Sequence, residues 1–232
     1  MIKAVFFDLY QTLVCYEPPR EEIQSKVLKD FGIELKPEAL LRPIVVADEF
    51  IYQEHSHLSI GKRSDQEKKA LWGQYQAMVL KEAGIEPSKE LIGSILGRMQ
   101  QIKFNMVLFD DVLSALTELR DKGLILGLIS NVDNDISSLL HKLGLTPMLQ
   151  VIVTSLDSGY SKPQPEIFKE AVKKACVQSQ EAMYVGDQYQ IDVIGASRAG
   201  MRGILLDRGG YFNEAIQEPK IRNLHQLIEL LL

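Results

Sequence analysis

The sequence predicts an α/β protein with a doubly wound parallel sheet and an all-α segment inserted after the first strand. From Phe104 onward, short apolar runs alternate with amphipathic helical patterns, and an earlier apolar run ends at Asp8. The stretch between these two regions contains only helical patterns. A strand–helix–strand succession requires a parallel sheet with right-handed crossovers. The predicted domains are therefore a core of residues 1–15 and 104–232 and an insert of residues 16–103.

Each core element follows from a local pattern. The run Ala4–Phe7 is entirely apolar, which indicates a strand buried on both faces of the sheet. The predicted helix Asp111–Lys122 carries its large apolar residues on one face and ends at Gly123. The remaining predicted strands are Leu124–Ile129, Leu149–Val153, Met183–Val185 and Gly203–Leu206; the remaining predicted helices are a segment through Leu139, Leu140 and Leu143 to Gly144, then Pro165–Ala175, Ile191–Ala199 and Leu224–Leu232.

The insert contains about four helical patterns and no convincing strand. A capping box at Ser64–Glu67 precedes a helix whose apolar residues share one face. The other predicted helices are Arg20–Phe31, Pro37–Gln53 and Ser88–Gln101. An all-α insert reached by two chain crossings predicts a cap domain over the strand ends, which can exclude water and select the substrate.

The composition is that of an ordinary soluble globular protein and disfavours several classes of function. Of 232 residues, 46% are hydrophobic and 25% are charged. The net charge of −5 argues against a nucleic-acid partner, because phosphate backbones require a basic face. No apolar run approaches the ~18 residues of a membrane span, and no signal peptide is visible. Cys15 and Cys176 form no disulfide pattern, so we expect a cytoplasmic protein. The lack of a run long enough to span a membrane predicts no membrane partner.

Polar residues follow the predicted strands where a ligand crevice is expected. In open α/β sheets this crevice lies beyond the carboxyl ends of the strands. Asp8 follows the first strand, which makes it the candidate nucleophile, and Tyr10 comes two residues later. The other candidates are Ser130 and Asn131 after the second strand, Lys162 between the third strand and the helix at Pro165, and Asp187 and Asp192 after the fourth strand.

Several of these residues are suited to binding a magnesium ion. Asp8 and Asp187 supply hard oxygen ligands for Mg²⁺, and the Tyr10 backbone carbonyl can add a third. Asp192 lies at the start of a predicted helix, where the helix dipole stabilises an acid. That position is compatible with a supporting role behind a metal ion.

The others are suited to a phosphoryl group. The Ser130 hydroxyl and the Asn131 backbone amide can hold anionic phosphoryl oxygens. Lys162 would offset the repulsion between the Asp8 carboxylate and a phosphate dianion.

Taken in order, these motifs resemble those of the haloacid dehalogenase (HAD) superfamily over nearly the whole chain. They are Asp8 through Thr12, then Ser130, then Lys162, then Asp187 with Asp192. The resemblance implies a Rossmann-like core, a nucleophilic aspartate and a covalent aspartyl intermediate that water hydrolyses. The insert resembles the first cap type of the family, the C1 cap. Thr12, as part of the first motif, is assigned to substrate binding by this resemblance.

Tyr10 departs from the phosphatase pattern and leaves three hypotheses open. Phosphatases of this family usually carry a second aspartate there, whereas 2-haloacid dehalogenases commonly carry tyrosine because a departing halide needs no proton. Those dehalogenases usually lack the acidic motif after the fourth strand, which this chain retains as Asp187 and Asp192. The retained acids favour a phosphatase over a dehalogenase, and a catalytically weak partner-binding protein on a HAD core is the third hypothesis.

The favoured hypothesis is a Mg²⁺-dependent phosphatase of a small phosphorylated metabolite, active as a monomer or homodimer. Tyrosine has a pKa near ~10, so Tyr10 is a poor substitute for an acid–base aspartate and turnover should be slow. The predicted catalytic residues are Asp8, Tyr10, Ser130 and Lys162; the predicted substrate-binding residues are Thr12, Ser130, Asn131 and Lys162; the predicted metal-binding residues are Asp8, Tyr10, Asp187 and Asp192.

Overall fold

A computed structural model describes residues 1–212 and 219–231 of the chain. The chain divides into two compact units, one formed by Met1–Cys15 with Val107–Leu232 and the other by Tyr16–Met106. We call them the sheet unit and the helical unit.

The sheet unit is built on a parallel sheet that is six strands wide in the described residues. Its strand order is β5-β4-β1-β6-β7-β8, while β2 and β3, in which the chain passes between the two units, pair with each other. The strands are β1 (Ala4–Phe7), β2 (Val14–Glu17), β3 (Asn105–Leu108), β4 (Ile125–Ser130), β5 (Val151–Thr154), β6 (Ala182–Gly186), β7 (Arg202–Leu206) and β8 (Lys220–Ile221). The predicted parallel α/β class is confirmed.

The central strand β1 sets the geometry of the functional end of the sheet. All four of its side chains are buried, as expected for a strand covered on both faces. It pairs with β4 on one side, with Phe7 opposite Leu128, and with β6 on the other, with Phe7 opposite Val185. The residues that follow β1, β4 and β6 are therefore neighbours at one edge.

Helices flank the sheet and make up most of the helical unit. The core of the sheet unit on one face gathers β-strand side chains with those of two of these helices, including Phe168 and Ala196. A separate apolar core holds the helical unit together. The α-helices are α1 (Arg20–Asp30), α2 (Leu41–His57), α3 (Asp65–Glu82), α4 (Lys89–Met99), α5 (Val112–Asp121), α6 (Ser137–Lys142), α7 (Ser155–Ser158), α8 (Pro165–Lys174) and α9 (Ile194–Arg198).

The start of α3 shows why local sequence predicts helices well. The Ser64 side chain accepts a hydrogen bond from the Glu67 amide, and the Glu67 carboxylate accepts one from the Ser64 amide, so the predicted capping box is confirmed. In the described part of the chain, no helix has the length and apolar character needed to cross a membrane.

Several predicted elements were wrong in extent or type. The predicted helix from Pro37 begins as a 3-10 turn over Pro37–Leu40, and α2 continues past Gln53 to His57. The predicted closing helix is a 3-10 helix over Leu224–Leu231, and its last residue, Leu232, lies outside the described residues.

The predicted strands were also wrong in extent and in number. The strand predicted from Leu149 begins at Val151. Strand β2 reaches into a stretch where no strand was predicted, and β3 and β8 were missed. These strands are too short to show an alternating pattern, so their pairing partners define them.

Candidate active site

Asp8 is the first residue beyond β1 and is held in place by its backbone. Its amide donates to the Val185 carbonyl of β6 at 2.9 Å, and the side chain is only 5% exposed. The chain then folds back at once, because the Leu13 and Val14 amides both donate to the Leu9 carbonyl. This turn requires a left-handed conformation at Gln11, with φ of 59°.

Tyr10 and Thr12 lie in that turn. Tyr10 is partly buried and forms a bridge with Val14. Thr12 is fully buried, and its hydroxyl has no hydrogen-bond partner in the described residues. Its carbonyl accepts a hydrogen bond from Arg208, whose guanidinium also binds both oxygens of Asp111. Arg208 was not predicted as a site residue; it fixes the backbone of the turn that follows Asp8.

Lys162 lies at the centre of the site. It is 3% exposed, and its Nζ donates to Asp8 Oδ1 at 2.6 Å, to Asp192 Oδ1 at 2.7 Å and to the Tyr184 hydroxyl at 2.8 Å. Burial alone would lower the pKa of Lys162, but the carboxylates of Asp192 and Asp8 outweigh it and raise that pKa above its ordinary value. Lys162 is therefore a fixed positive charge against Asp8.

Asn131 holds the lysine segment from the neighbouring strand end. Its side-chain amide donates to the Lys162 carbonyl at 2.9 Å, and its side-chain oxygen accepts from the Lys162 amide at 2.7 Å. The sequence-based hypothesis gave Asn131 a role through its backbone amide. The structure adds a second role, because the side chain clamps the segment that carries Lys162.

Ser130 ends β4, the strand beside β1. The residue is 1% exposed, and its hydroxyl finds no hydrogen-bond partner within the described part of the chain. A buried hydroxyl without a partner is costly, and such groups in native proteins call for an explanation. A donor to a bound anion is the explanation that the position of Ser130 suggests.

Asp192 is folded back beneath the end of β6 by an unusual turn. The predicted helix from Ile191 begins instead as a π-helical turn over Tyr189–Val193 and becomes α-helical only at Ile194. Asp192 Oδ2 accepts a hydrogen bond from the Gln188 backbone amide at 3.0 Å, and Asp192 Oδ1 accepts one from Lys162. A β-carbon at Gly186 would collide with this carboxylate, so the glycine is required for the close approach.

Three carboxylates meet at this edge of the sheet. Asp8, Asp187 and Asp192 each offer an oxygen, and these oxygens lie within 4.8 Å of one another. Asp187 is partly buried, and its Oδ2 accepts from the Gln188 side chain at 2.7 Å. Grouped carboxylate oxygens are the donor set that hard cations such as Mg²⁺ prefer.

The electrostatics of Asp8 reflect its crowding. Burial raises its pKa from 3.8 to about 6; Lys162 opposes the rise, and Asp192 adds to it. Most of the carboxyl group is therefore ionised at neutral pH, as a nucleophile requires. Its basicity is also higher than that of an exposed aspartate.

Tyr184 is a member of the site that the sequence analysis missed. It lies within β6, is fully buried, and its hydroxyl contacts Lys162 and Asp192. A signal was available, because a buried tyrosine in an otherwise apolar strand needs a partner for its hydroxyl. The structure thus brings Asp8, Lys162, Asp187 and Asp192 together with Tyr184.

Comparison with known proteins identifies the family. Residues 42–206 match the family described as haloacid dehalogenase-like hydrolase. The chain is 29% identical to a glyceraldehyde 3-phosphate phosphatase of Methanopyrus kandleri, covering 91% of this chain and 86% of the relative. It is 27% identical to human haloacid dehalogenase-like hydrolase domain-containing protein 3, covering 99% and 92%. The solved structure of a 2-haloacid dehalogenase from Pseudomonas syringae superposes with a TM-score of 0.55 at 27% identity, covering 100% and 98%.

The family match spans well over half of the chain, and it is consistent with the parallel sheet and the aspartate that follows its central strand. This protein belongs to the haloacid dehalogenase-like hydrolases.

Proposed function

We propose that this protein is a phosphatase that hydrolyses the phosphate ester of a small metabolite, with Asp8 as nucleophile. The observation that carries the proposal is the group of three carboxylates, Asp8, Asp187 and Asp192, of which Asp8 and Asp192 are paired with Lys162. Counted as ionised, these groups leave an excess of two formal negative charges in a largely buried site. A dehalogenase acting through Asp8 alone has no use for the extra acids, whereas a phosphatase that binds a divalent cation does.

The donor set fits Mg²⁺. Asp8 and Asp187 would hold the ion, with the Tyr10 carbonyl as a further ligand. Asp192 belongs to the same group, although both of its oxygens already accept hydrogen bonds from the protein, so we assign it mainly to holding Lys162. When bound, the ion would neutralise charge and polarise the phosphoryl oxygens.

The residues of the chain supply the remaining chemistry. A carboxylate oxygen of Asp8 attacks phosphorus, the ester oxygen leaves, and an aspartyl phosphate forms. Water then cleaves this intermediate, which releases phosphate and restores Asp8. The Ser130 hydroxyl donates a hydrogen bond to a phosphoryl oxygen. Lys162 keeps Asp8 oriented and offsets the negative charge of the Asp8 carboxylate. Thr12 and the Asn131 backbone amide complete the set of proposed substrate contacts.

Tyr10 sets the limit on this chemistry. Tyr10 stands at the sequence position where phosphatases of this family usually carry the aspartate that protonates the leaving oxygen. A phenol of pKa near ~10 is a poor base at neutral pH, so it would rarely activate the water that hydrolyses the intermediate. Substrates with good leaving groups should therefore react best. We assign substrate selection to the helical unit, and we expect the protein to act in the cytoplasm as a monomer or homodimer.

A 2-haloacid dehalogenase is the second candidate, because Tyr10 and the similarity to a solved dehalogenase favour it. In that reaction Asp8 would attack carbon, and the departing halide would need no proton. A partner-binding role without turnover is the third candidate.

A single table of rates separates these functions. The wild type and Tyr10→Asp are compared on an aryl phosphate, an alkyl phosphate and a 2-haloacid, with Mg²⁺ or with EDTA. The phosphatase proposal predicts turnover that requires Mg²⁺ and a gain from Tyr10→Asp, up to about 10²-fold, that is larger for the alkyl ester because its leaving oxygen is more basic. Halide release that survives EDTA and is harmed by Tyr10→Asp would replace the proposal with the dehalogenase. Binding of phosphate esters without turnover would indicate the third candidate.

A further inference from the structure

Tyr184 connects the floor of the site to its central lysine. Its ring is fully buried and packs edge-on against Phe168, with ring centroids 5.1 Å apart and planes at 90°. Its hydroxyl accepts from Lys162 Nζ at 2.8 Å and lies within donating distance of the Ile129 carbonyl, at 3.0 Å, and of Asp192 Oδ1, at 3.2 Å. A strand side chain with a fixed ring therefore ends inside the proposed catalytic network.

The Lys162 ammonium has three N–H groups and three partners. Two of these partners, Asp8 and Asp192, are carboxylates that attract the positive charge, and they belong to two different sequence motifs. A flexible four-carbon stem held only by two charges can still change the torsion angles along the stem and so shift Nζ. The third contact, from Tyr184 on a rigid strand, removes that freedom.

We propose that Tyr184 is a positioning residue for the reaction, because it holds Lys162 Nζ in the orientation that keeps Asp8 aligned for attack. This inference rests on the proposed role of Asp8 as the nucleophile. It assigns Tyr184 no contact with the substrate, so its effect should appear in the chemical step and not in substrate binding.

The first test is Tyr184→Phe, which removes the hydroxyl and keeps the ring. We expect kcat for an aryl phosphate to fall about 10-fold while KM changes less than about twofold, because the substrate contacts remain. The matched control is Tyr75→Phe, which removes a tyrosine hydroxyl that donates to Asp48 at 3.1 Å in the helical unit. This control should leave kcat of the folded protein unchanged. An unchanged kcat in Tyr184→Phe, or equal losses in both variants, would overturn the proposal.

A second test asks whether Tyr184 acts through Lys162. Tyr184→Phe is combined with Lys162→Met, and the residual rate is compared with that of Lys162→Met alone. A residue that acts through the lysine has nothing left to position, so the second change should cost less than about twofold. A further loss of about 10-fold would show that Tyr184 acts on its own, and the positioning role would be rejected.

A third test needs no turnover. In protein labelled with ¹⁵N-lysine, the buried Lys162 ammonium should give a slowly exchanging signal that Lys162→Met removes. Tyr184→Phe should speed its hydrogen exchange about fivefold or more through loss of one hydrogen bond, and Tyr75→Phe should not. If the wild type lacks phosphatase activity and this effect persists, the proposed function fails while the hold on Lys162 stands. If the wild type is active and neither exchange nor kcat responds, the positioning role alone fails.

Discussion

Each unit of this protein contains a buried carboxylate that is bound by a cation and by a tyrosine hydroxyl. In the helical unit, Arg20 Nη1 lies 2.9 Å and 2.7 Å from the two oxygens of Asp48, and the Tyr75 hydroxyl donates to the same carboxylate. In the sheet unit, Lys162 and Tyr184 meet Asp192 in a similar way. The two groups contain the same kinds of side chain, but they differ in charge balance and in their position in the fold.

In the helical unit the charges of this group are balanced, and its contacts link helices. One cation faces one carboxylate, and its three members come from α1, α2 and α3, so the contacts hold three helices together. Breaking a buried pair of this type is costly because the remaining charge has no partner. Its expected role is therefore stability.

The sheet group is unbalanced and lies where strands end. Asp8 adds a second carboxylate to Lys162, Asp187 brings a third nearby, and the Ser130 hydroxyl is buried without a hydrogen-bond partner in the residues described. A purely structural site would satisfy these groups internally. Unpartnered buried groups alone do not separate the two units, since Gln24 and Gln76 of the helical unit also carry them. The contrast teaches that an excess of carboxylates over cations at the strand ends, and not the presence of a buried ion pair, distinguishes the sheet site.

The largest expected effect separates Asp8 of the sheet unit from Asp48 of the helical unit. Asp8→Asn should lower turnover by at least about 10³-fold, because it removes the nucleophile in either hydrolytic mechanism. Initial rates on an aryl phosphate and on a 2-haloacid measure this, with circular dichroism to establish that the variant is folded. Full activity in a folded Asp8→Asn protein would end the assignment of Asp8 as nucleophile.

Asp48→Asn is the corresponding change in the helical unit, and its cost should appear in stability. Leaving Arg20 without its carboxylate should lower the free energy of unfolding by about 3 kcal/mol. Urea denaturation measures the loss, while kcat per folded molecule should stay within about twofold of the wild type. A large drop in kcat with unchanged stability would contradict the structural role of this group.

The features that were predicted from the sequence have local signals, and the features that were missed depend on contacts between residues far apart in the chain. Asp8 and Ser130 were found because buried apolar strands stop at them, which is a local signal. The capping box before α3 is equally local. Arg20–Asp48 and Tyr184–Lys162, by contrast, join residues 28 and 22 positions apart, and no spacing rule links them.

Asp192 and Asn131 show a second kind of limit. Their residue types and positions at strand ends indicated a site, but their side-chain roles depend on tertiary contacts. The Asp192 carboxylate turns back through a π-helical turn to Lys162, and the Asn131 side chain clamps the Lys162 backbone, 31 residues away. A helix-dipole argument for the first and a backbone-amide argument for the second could not anticipate these contacts.

A smaller effect should follow from Ser130→Ala. If the hydroxyl serves a bound phosphoryl group, kcat/KM should fall about 10-fold while the free energy of unfolding changes by less than about 0.5 kcal/mol, because no protein hydrogen bond is lost. Ser155→Ala is the matched control, since the Ser155 hydroxyl bonds both the amide and the carbonyl of Val132. The control should lose stability and keep its activity; the reverse pattern would remove Ser130 from the proposed site.

The smallest effect is a shift in the pKa values of the buried carboxyl groups, and one titration experiment compares Asp8 of the sheet unit with Asp48 of the helical unit. Burial raises the pKa of Asp8 to about 6 and also raises that of Asp48, with Arg20 opposing the second rise. Carboxyl ¹³C NMR on metal-free protein should report an Asp8 midpoint near 6, and Mg²⁺ should lower the Asp8 midpoint while leaving that of Asp48 unchanged, since only Asp8 belongs to the carboxylate cluster.

Two opposite pH responses should accompany that midpoint. Phosphatase activity, which is expected to require Mg²⁺, should fall at a pH below the metal-free midpoint of about 6, because protonated Asp8 cannot attack and the bound cation favours its ionised form. The Asp8 contribution to stability should change in the other direction. A carboxyl group whose folded pKa exceeds its unfolded value of 3.8 binds its proton more tightly in the folded state, so folding gains as the pH falls from about 6 towards 3.8. Asp8→Asn should abolish this gain, and a midpoint near 4 in the wild type would show that the crowding around Lys162 does not perturb Asp8 in solution.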